Sequence, residues 1–361
     1  MLQRAKTLFE RHGRKLSALA FVFGFLWDSL TLTRIDRLLD NIVLLSYLLI
    51  AFVCIALLNA DSARNFANPL LRKSVDFARF LLPFAFGGLM SGFLIFYSRS
   101  VPVLSSAPFL LFLAGLFLCN EFLRRRYQQF IFRMSVFFVT LFSYTALVVP
   151  VLTGRMGDLI FLASGATALV LFWLSIKVLS LVAEGEWRRR RPALWTVVGS
   201  IFVAFNFLYF NNMIPPIPLS LKEIGVYHRV ERARSGSYEL SFEKAPWYAL
   251  GRKTNLTFHR TENEPVYVFS SVFAPTRLST KVLHRWSYFN EKLDKWVSSS
   301  VVGFPISGGR DEGYRGYSRK DVIFPGKWRV DVETIRGQIV GRITFVVTDS
   351  PAPPALAEEK R

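Results

Sequence analysis

Cysteine is nearly missing from this chain: Cys54 and Cys119 are the only two in 361 residues. Both fall in apolar runs, far apart, which excludes a disulfide framework and a metal-binding thiol motif; packing is the plain reading. Acidic residues are also scarce, 26 against 45 Lys and Arg, for a net charge of +19. Histidine occurs four times, and His228, His259 and His284 lack metal-ligand spacing. HExxH, GxSxG and CxxC are all absent, so nothing points to a catalytic residue, a metal or a cofactor, and the expectation is a protein that is not an enzyme. Long polar stretches are few as well. With 52% hydrophobic residues and a mean hydropathy of +0.31, a disordered or collagen-like chain is excluded. The same figures argue against a soluble nucleic-acid binder, despite the charge.

What is present is a series of seven apolar runs, near 16–32, 42–60, 80–97, 101–119, 130–152, 158–182 and 193–212. About 20 residues of helix cross the ~30 Å hydrocarbon layer, and helix satisfies every backbone N–H within the segment. Run one follows a basic start, residues 1–15, but carries Trp27 and Asp28 and no small-residue cleavage site, so it reads as a retained span rather than a signal peptide. The loops test the count. Arg64, Arg72, Lys73 and Arg79 follow span two, Arg124–Arg126 follow span four, and Arg188–Arg191 follow span six, whereas the alternate loops are poor in net charge. This is the positive-inside pattern. It predicts a cytosolic N-terminus, a seven-helix domain over 16–212, and everything after it on the far side. The basic excess then needs no nucleic-acid partner; its first partner is the lipid bilayer.

Met213–Pro218 is dense in proline and reads as a short stiff spacer. From 219 to 349 the period changes to two. In Lys327–Glu333, Trp328, Val330 and Val332 alternate with charged residues; Ile339–Val347 repeats the pattern, and the turn between them makes a hairpin. Pro265–Ala274 and Lys281–Phe289 also read as strands, with weaker segments near 222–230, 237–243, 255–260 and 296–302. The expected architecture is therefore an α-helical transmembrane bundle followed by an all-β antiparallel sandwich over 219–349, with a disordered tail over 350–361. A cysteine-free domain of this size can hold itself by its apolar core.

Two sets of residues are candidates for function. The first is a polar cluster at the outer end of span one: Asp28, Arg34, Asp36, Arg37, Asp40 and Asn41. An intramembrane carboxylate is costly without a partner or water. It either binds a cation, proton or headgroup, or pairs with Arg34 or Arg37 while Asp36 and Asp40 cap the next helix. The second set lies in the β domain. Trp286 alternates with His284 and Tyr288, a mixed aromatic face suited to a sugar ring or a partner chain, or else to the core. The glycine-rich stretch Ser307–Arg319, with Arg310, Tyr314, Arg315 and Tyr317, reads as a long recognition loop or a solvated connection. Arg133 and Lys177 sit near span ends, where they can reach the headgroups. Gly88 and Gly92 form a GxxxG that allows close helix packing.

The segments FGFLWDSLTL (Phe23–Leu32), RIDRLLDN (Arg34–Asn41), IPPIPLSLKEIG (Ile214–Gly225), HRW (His284–Trp286) and PGKWRVDVET (Pro325–Thr334) resemble bacterial inner-membrane proteins ending in the domain of unknown function DUF2914. The resemblance implies a periplasmic C-terminal domain. It implies no activity and carries over no site residue. The combined expectation is a non-enzymatic inner-membrane protein whose periplasmic sandwich recognises an envelope partner, a glycan or a protein. The alternative is a membrane enzyme or transporter handling lipid-linked material through Asp28, Arg34, Asp36 and Asp40.

Overall fold

A computed structural model describes residues 25–64, 68–98, 107–119, 126–127, 129–182, 184–234, 236–249, 252–261, 264–310 and 312–361. The basic N-terminus and most of the first apolar run lie outside the described residues. The chain divides into two compact units, one of helices and one whose body is Asn212–Arg361.

The helical unit contains α1 (Leu38–Arg64), α2 (Pro69–Ser98), α3 (Ala107–Cys119), α4 (Phe130–Thr153), α5 (Asp158–Val182) and α6 (Glu184–Phe210), preceded by helical residues 25–31. Five of them are long and apolar enough to cross a membrane. The apolar stretch Ala107–Leu118 is shorter; at 1.5 Å per residue it reaches about 18 Å. The sequence predicts seven spans, and five reach spanning length among the described residues.

These helices carry apolar residues on every side, with Leu49, Val53, Phe77, Phe80 and Leu174 exposed, the pattern of helices that face lipid as well as one another. Phenylalanine fills the interior: Phe142 stacks on Phe205 at 4.6 Å and on Phe202 at 5.7 Å. The GxxxG of α2 does what its spacing predicts. A Cβ on Gly88 would stand 2.8 Å from the Tyr47 ring of α1, and one on Gly92 2.7 Å from Leu44. Arg133 departs from expectation. It is buried and hydrogen-bonds Asn59 of α1 instead of reaching outward, because a polar partner on a neighbouring helix removes the need to snorkel. Lys177 lies 4.8 Å over the Trp173 ring.

The second unit is built of β1 (Ser220–Tyr227), β2 (Arg229–Arg232), β3 (Tyr238–Phe242), β4 (Thr257–Arg260), β5 (Val266–Phe273), β6 (Ser279–Asn290), β7 (Lys295–Ser307), β8 (Tyr314–Lys320), β9 (Gly326–Thr334), β10 (Ile339–Asp349) and β11 (Ala357–Lys360). They form three sheets, ordered β1-β5-β8, β4-β10-β9-β6-β7 and β11-β3-β2. Pairing is antiparallel except between β10 and β4, which corrects the expected purely antiparallel sandwich to a mixed one.

Alternation explains the layering. Val266 and Val268 of β5 meet Trp286, Trp328, Val330, Phe345 and Val347 of the five-stranded sheet. The odd residue Phe269 points the other way, to Tyr227, Val230, Tyr238, Leu240 and Phe242. The β1-β5-β8 sheet is thus covered on both faces, and the domain has three layers rather than the two of a simple sandwich.

Three further expectations change. The proline stretch is turned and largely buried, not extended: Ile217 N donates to the Pro215 carbonyl at 2.8 Å and Leu219 N to Pro216 at 3.0 Å. Gln338 Nε2 then donates to the Ile214 carbonyl at 3.3 Å. The Ser307–Arg319 stretch is mostly strand, leaving only residues 308–313 to connect β7 and β8. Gly316 lets the Phe304 ring lie against β8. The tail is ordered, since β11 pairs with β3 and Arg361 exchanges backbone hydrogen bonds with Tyr238 at 2.6 and 2.8 Å.

Candidate functional site

Two strand edges meet in the β domain. β1 ends its sheet, and β4 pairs with β10 only over Val346–Asp349, which leaves the earlier part of β10 free on that side. Each edge carries a bulge, between Leu221 and Glu223 on β1 and between Ile339 and Gly341 on β10, a common device beside functional sites. Gly341 permits the approach, since a Cβ there would stand 2.3 Å from Leu221.

Around these edges opens a cleft of about 800 Å³. Its cations are Lys222, Arg252, Lys253, Arg315, Arg342 and Arg361; its carboxylates are Glu223 and Glu312. Ile224, Tyr227, Leu256 and Ile343 supply an apolar floor. Ion pairs position the cations. Arg361 binds Glu223 at 3.1 Å and Glu359 at 3.2 Å; Lys253 binds Glu359 at 3.0 Å. Arg342 grips buried Asp331 through two bonds of 2.5 and 3.0 Å, and Arg315 pairs with Glu312. With Glu359 and Asp331 counted, the walls still hold more cations than carboxylates. A concave, mainly apolar volume with a few convergent charges is the usual form of a ligand site, and here the sign favours an anion.

One wall of the cleft rests on a histidine node. His228 is the single residue between β1 and β2, at the corner where the chain changes sheet. Its Nδ1 lies 2.6 Å from Glu264 Oε1 and its Nε2 3.1 Å from Glu243 Oε1. Its ring stacks on Phe258 at 4.1 Å. Burial works against the imidazolium, but the two carboxylates outweigh it and raise the His228 pKa. Both ring nitrogens face acceptors, which the doubly protonated ring alone satisfies. Burial works against ionised Glu243 too. Hydrogen bonds from His228, from the His259 backbone N at 2.8 Å and from His259 Nδ1 at 2.7 Å prevail, lowering its pKa to about 2. Glu264 is lowered similarly, held by His228 and by Thr261 N and Oγ1. Asn255 N donates to the Glu243 carbonyl at 2.8 Å. The node therefore ties together both ends of the 244–254 hairpin, whose returning limb supplies Arg252 and Lys253 to the cleft.

The residues singled out in the sequence are scattered. Trp286 and His284 are fully buried on the inner face of β6, with Tyr288 half-buried beside them. That face is core, not a binding platform, because β6, paired on both sides by β9 and β7, packs it against β5 and β8. His284 Nε2 meets Ser270 Oγ at 2.8 Å and Nδ1 meets Ser318 Oγ at 2.8 Å; Trp286 Nε1 donates to Ser318 Oγ at 2.9 Å. Desolvation lowers the His284 pKa to about 3. This Ser–His–Ser post has neither a carboxylate on the imidazole nor solvent access, so it is not a triad. Of the expected loop residues, Arg315 lines the cleft. Tyr317 packs 6.1 Å from both Tyr238 and Tyr267, Tyr314 turns toward the core, and Arg310 lies 5.5 Å over the Tyr314 ring.

In the helical unit, Arg34 binds Asp36 at 2.6 Å. Asp40 Oδ2 accepts from Thr33 N at 2.9 Å and Arg34 N at 2.8 Å, so it staples the connecting turn rather than capping α1. Arg37 donates to Thr33 Oγ1 at 2.7 Å and receives Asn41 Nδ2 on its carbonyl at 3.1 Å. Asp28 lies near Ser91 and Tyr47, and no arginine pairs with it among the described residues. Among those residues no cluster of three or more His, Cys, Asp or Glu could hold a metal ion.

The strands β6 through β10 carry the match to a known family. Residues 279–347 match the family Protein of unknown function (DUF2914). The DUF2914 segment begins at the first residue of β6 and ends within β10, so it spans the Trp286–His284 core and one edge of the cleft. Among curated proteins none matches significantly. Among solved structures, a similar chain is the Pseudomonas fluorescens alkylpurine DNA glycosylase AlkC bound to DNA containing an abasic site analog. Identity is 11%, the TM-score 0.22, and coverage 87% of this chain and 99% of that one; a likeness at that score carries no argument.

Proposed function

We propose that the protein is a non-enzymatic, multi-pass bacterial inner-membrane protein whose β domain faces the periplasm and binds an anionic envelope partner in the basic cleft. The observation that carries the reading is the convergence of Lys222, Arg252, Lys253, Arg315, Arg342 and Arg361 on one concavity. Five helices of spanning length support membrane residence. The alternating loop charges support a cytosolic N-terminus, seven spans and an exported C-terminal domain.

The test uses the full chain in neutral-lipid nanodiscs. Arg252→Glu and Lys253→Glu together are expected to weaken binding of an immobilised polyanion by more than about tenfold, leaving the thermal melt unchanged; equal binding by parent and variant would sink the cleft. Alkaline phosphatase fused after Arg361 should be active in cells, and fused within the basic stretch 184–191 at the start of α6 inactive.

One observation favours the alternative of a membrane enzyme or transporter for lipid-linked material: Asp28 has no arginine partner among the described residues, unlike Asp36. Asp28→Asn abolishing function in a stably inserted protein, while the cleft variant retains it, would move the site to the helices.

A further inference from the structure

Trp247 is 93% exposed and Tyr248 68%. In the helical unit such exposure is expected of residues that face lipid. In the β domain it stands against the rule, since Trp286 and Trp328 are fully buried there. A water-facing indole beside a water-facing phenol marks a contact surface more than a folding requirement.

The pair is presented, not merely left out. It sits at the tip of the 244–254 hairpin, whose limbs are joined by the Lys244–Thr254 bridge and by Ala245 N donating to the Lys253 carbonyl at 2.8 Å. Ala249 N closes the tip onto the Pro246 carbonyl at 2.9 Å, and Ala249 is itself buried. The base is clamped by Glu243 and Asn255, held by the His228 node. The two rings stand edge to face, 5.9 Å apart at 83°, and the indole is left almost fully exposed. The same hairpin delivers Arg252 and Lys253 into the cleft wall.

We infer that this hairpin is the sugar-stacking element of the cleft, and that the ligand is an acidic glycan, a saccharide bearing carboxylate or phosphate groups. The inference rests on the proposed anion-binding role of the cleft and names its ligand class. A pyranose ring has an apolar face that packs on an indole, while its hydroxyls and acid groups demand polar partners; an aromatic tip next to a cationic concavity meets both demands. Arg252 is exposed and, among the described residues, makes no side-chain hydrogen bond or ion pair, so an arriving carboxylate or phosphate need not displace a described carboxylate there. A bilayer surface would also accept aromatic and basic side chains, but it is flat and cannot fill a cleft of about 800 Å³.

The experiment measures binding of four probes to the full chain in neutral-lipid nanodiscs: oligogalacturonate, phosphomannan oligosaccharide, neutral dextran and inorganic polyphosphate. Trp247→Ala with Tyr248→Ala is expected to weaken the acidic glycans about tenfold while leaving polyphosphate within about twofold; Arg252→Glu with Lys253→Glu weakens all three anions. Preference for galacturonate or phosphomannan tells which acid group the cleft takes. Glycan binding unchanged by the aromatic double variant, but lost with the charge variant, overturns the stacking element and leaves the cleft standing. Failure of every anionic probe overturns both. Contact quenching of a probe at Trp247→Cys, in a cysteine-free background, by spin-labelled lipid would place the tip in the bilayer and overturn the glycan inference. Trp247 supports no core, so an unchanged melting temperature shows that the variants fold.

Discussion

His228 and His284 are both buried in the β domain, yet their surroundings could hardly differ more. His228 turns both ring nitrogens to carboxylates, Glu264 and Glu243. His284 turns both to serine hydroxyls, Ser270 and Ser318. The first ring is satisfied only when charged. The second is satisfied when neutral, with Nε2 donating to Ser270 while Ser318 accepts from Trp286 and donates to Nδ1. Burial opposes charge at both positions, and its outcome is decided by what the neighbours carry. The charged node sits at a corner and braces the hairpin that flanks the cleft; the neutral post sits between sheets and braces the core.

This contrast has opposite pH signatures. His284 titrates near 3 in the folded domain and near 6.5 when unfolded. Between those values the unfolded chain binds a proton that the folded chain refuses, so stability falls as pH drops from 6.5 toward 3, by a total of about 4 kcal/mol. Glu243 adds to that acid limb, because its contribution is present above 4.5 and is lost as pH falls toward about 2. His228 acts at the other end. Its folded pKa is raised, so its contribution is complete below 6.5 and is lost as pH rises through the folded value. The largest expected effect is therefore a steep acid limb in chemical denaturation of the full chain, flattened in His284→Gln and kept in His228→Gln. An acid limb of equal slope in both variants would break the contrast.

Next in size is Glu243→Ala, which leaves the His228 imidazolium with one carboxylate and removes the carboxylate contacts to the Asn255 side-chain amide and to His259. A cost of about 3 kcal/mol follows from stranding a buried charge, and a melt of the β domain followed by near-ultraviolet circular dichroism checks it. Ser318→Ala, the matching cut at the neutral post, strands the Trp286 N–H and one imidazole nitrogen. It should cost less, about 2 kcal/mol. If the serine change were the costlier, the ranking of charged over neutral networks would be wrong for this domain.

The legibility of the fold followed the strength of its periodic signals. Apolar runs of about 20 residues identified helices of spanning length, and the alternation in Lys327–Glu333 put Trp328, Val330 and Val332 on one buried face. β8 and β11 escaped because their sequences, YRGYSRK and AEEK, lack an alternating apolar face; backbone pairing, not burial, makes them strands. Of the cleft, Arg315 alone was legible, and then only as a loop residue. The hairpin aromatics Trp247 and Tyr248 follow Pro246 in a short stretch without alternation; an aromatic pair flanked by Lys244, Arg252 and Lys253 was the signal available.

The sequence by itself determined the division of the chain into apolar helices and alternating strands, and it placed most of the charge excess of the first 218 residues in the N-terminal segment and alternate loops. Those are local properties, set by side-chain type and by periods of 3.6 and 2. Tertiary structure alone decided which face of β6 became interior. Alternation defines two faces but not which one a second sheet will cover. It also decided the charge of each histidine and the gathering of residues 222, 252, 253, 315, 342 and 361 around one cleft. Desolvation and Coulomb interactions act through space, and no spacing along the chain records distances that only folding creates.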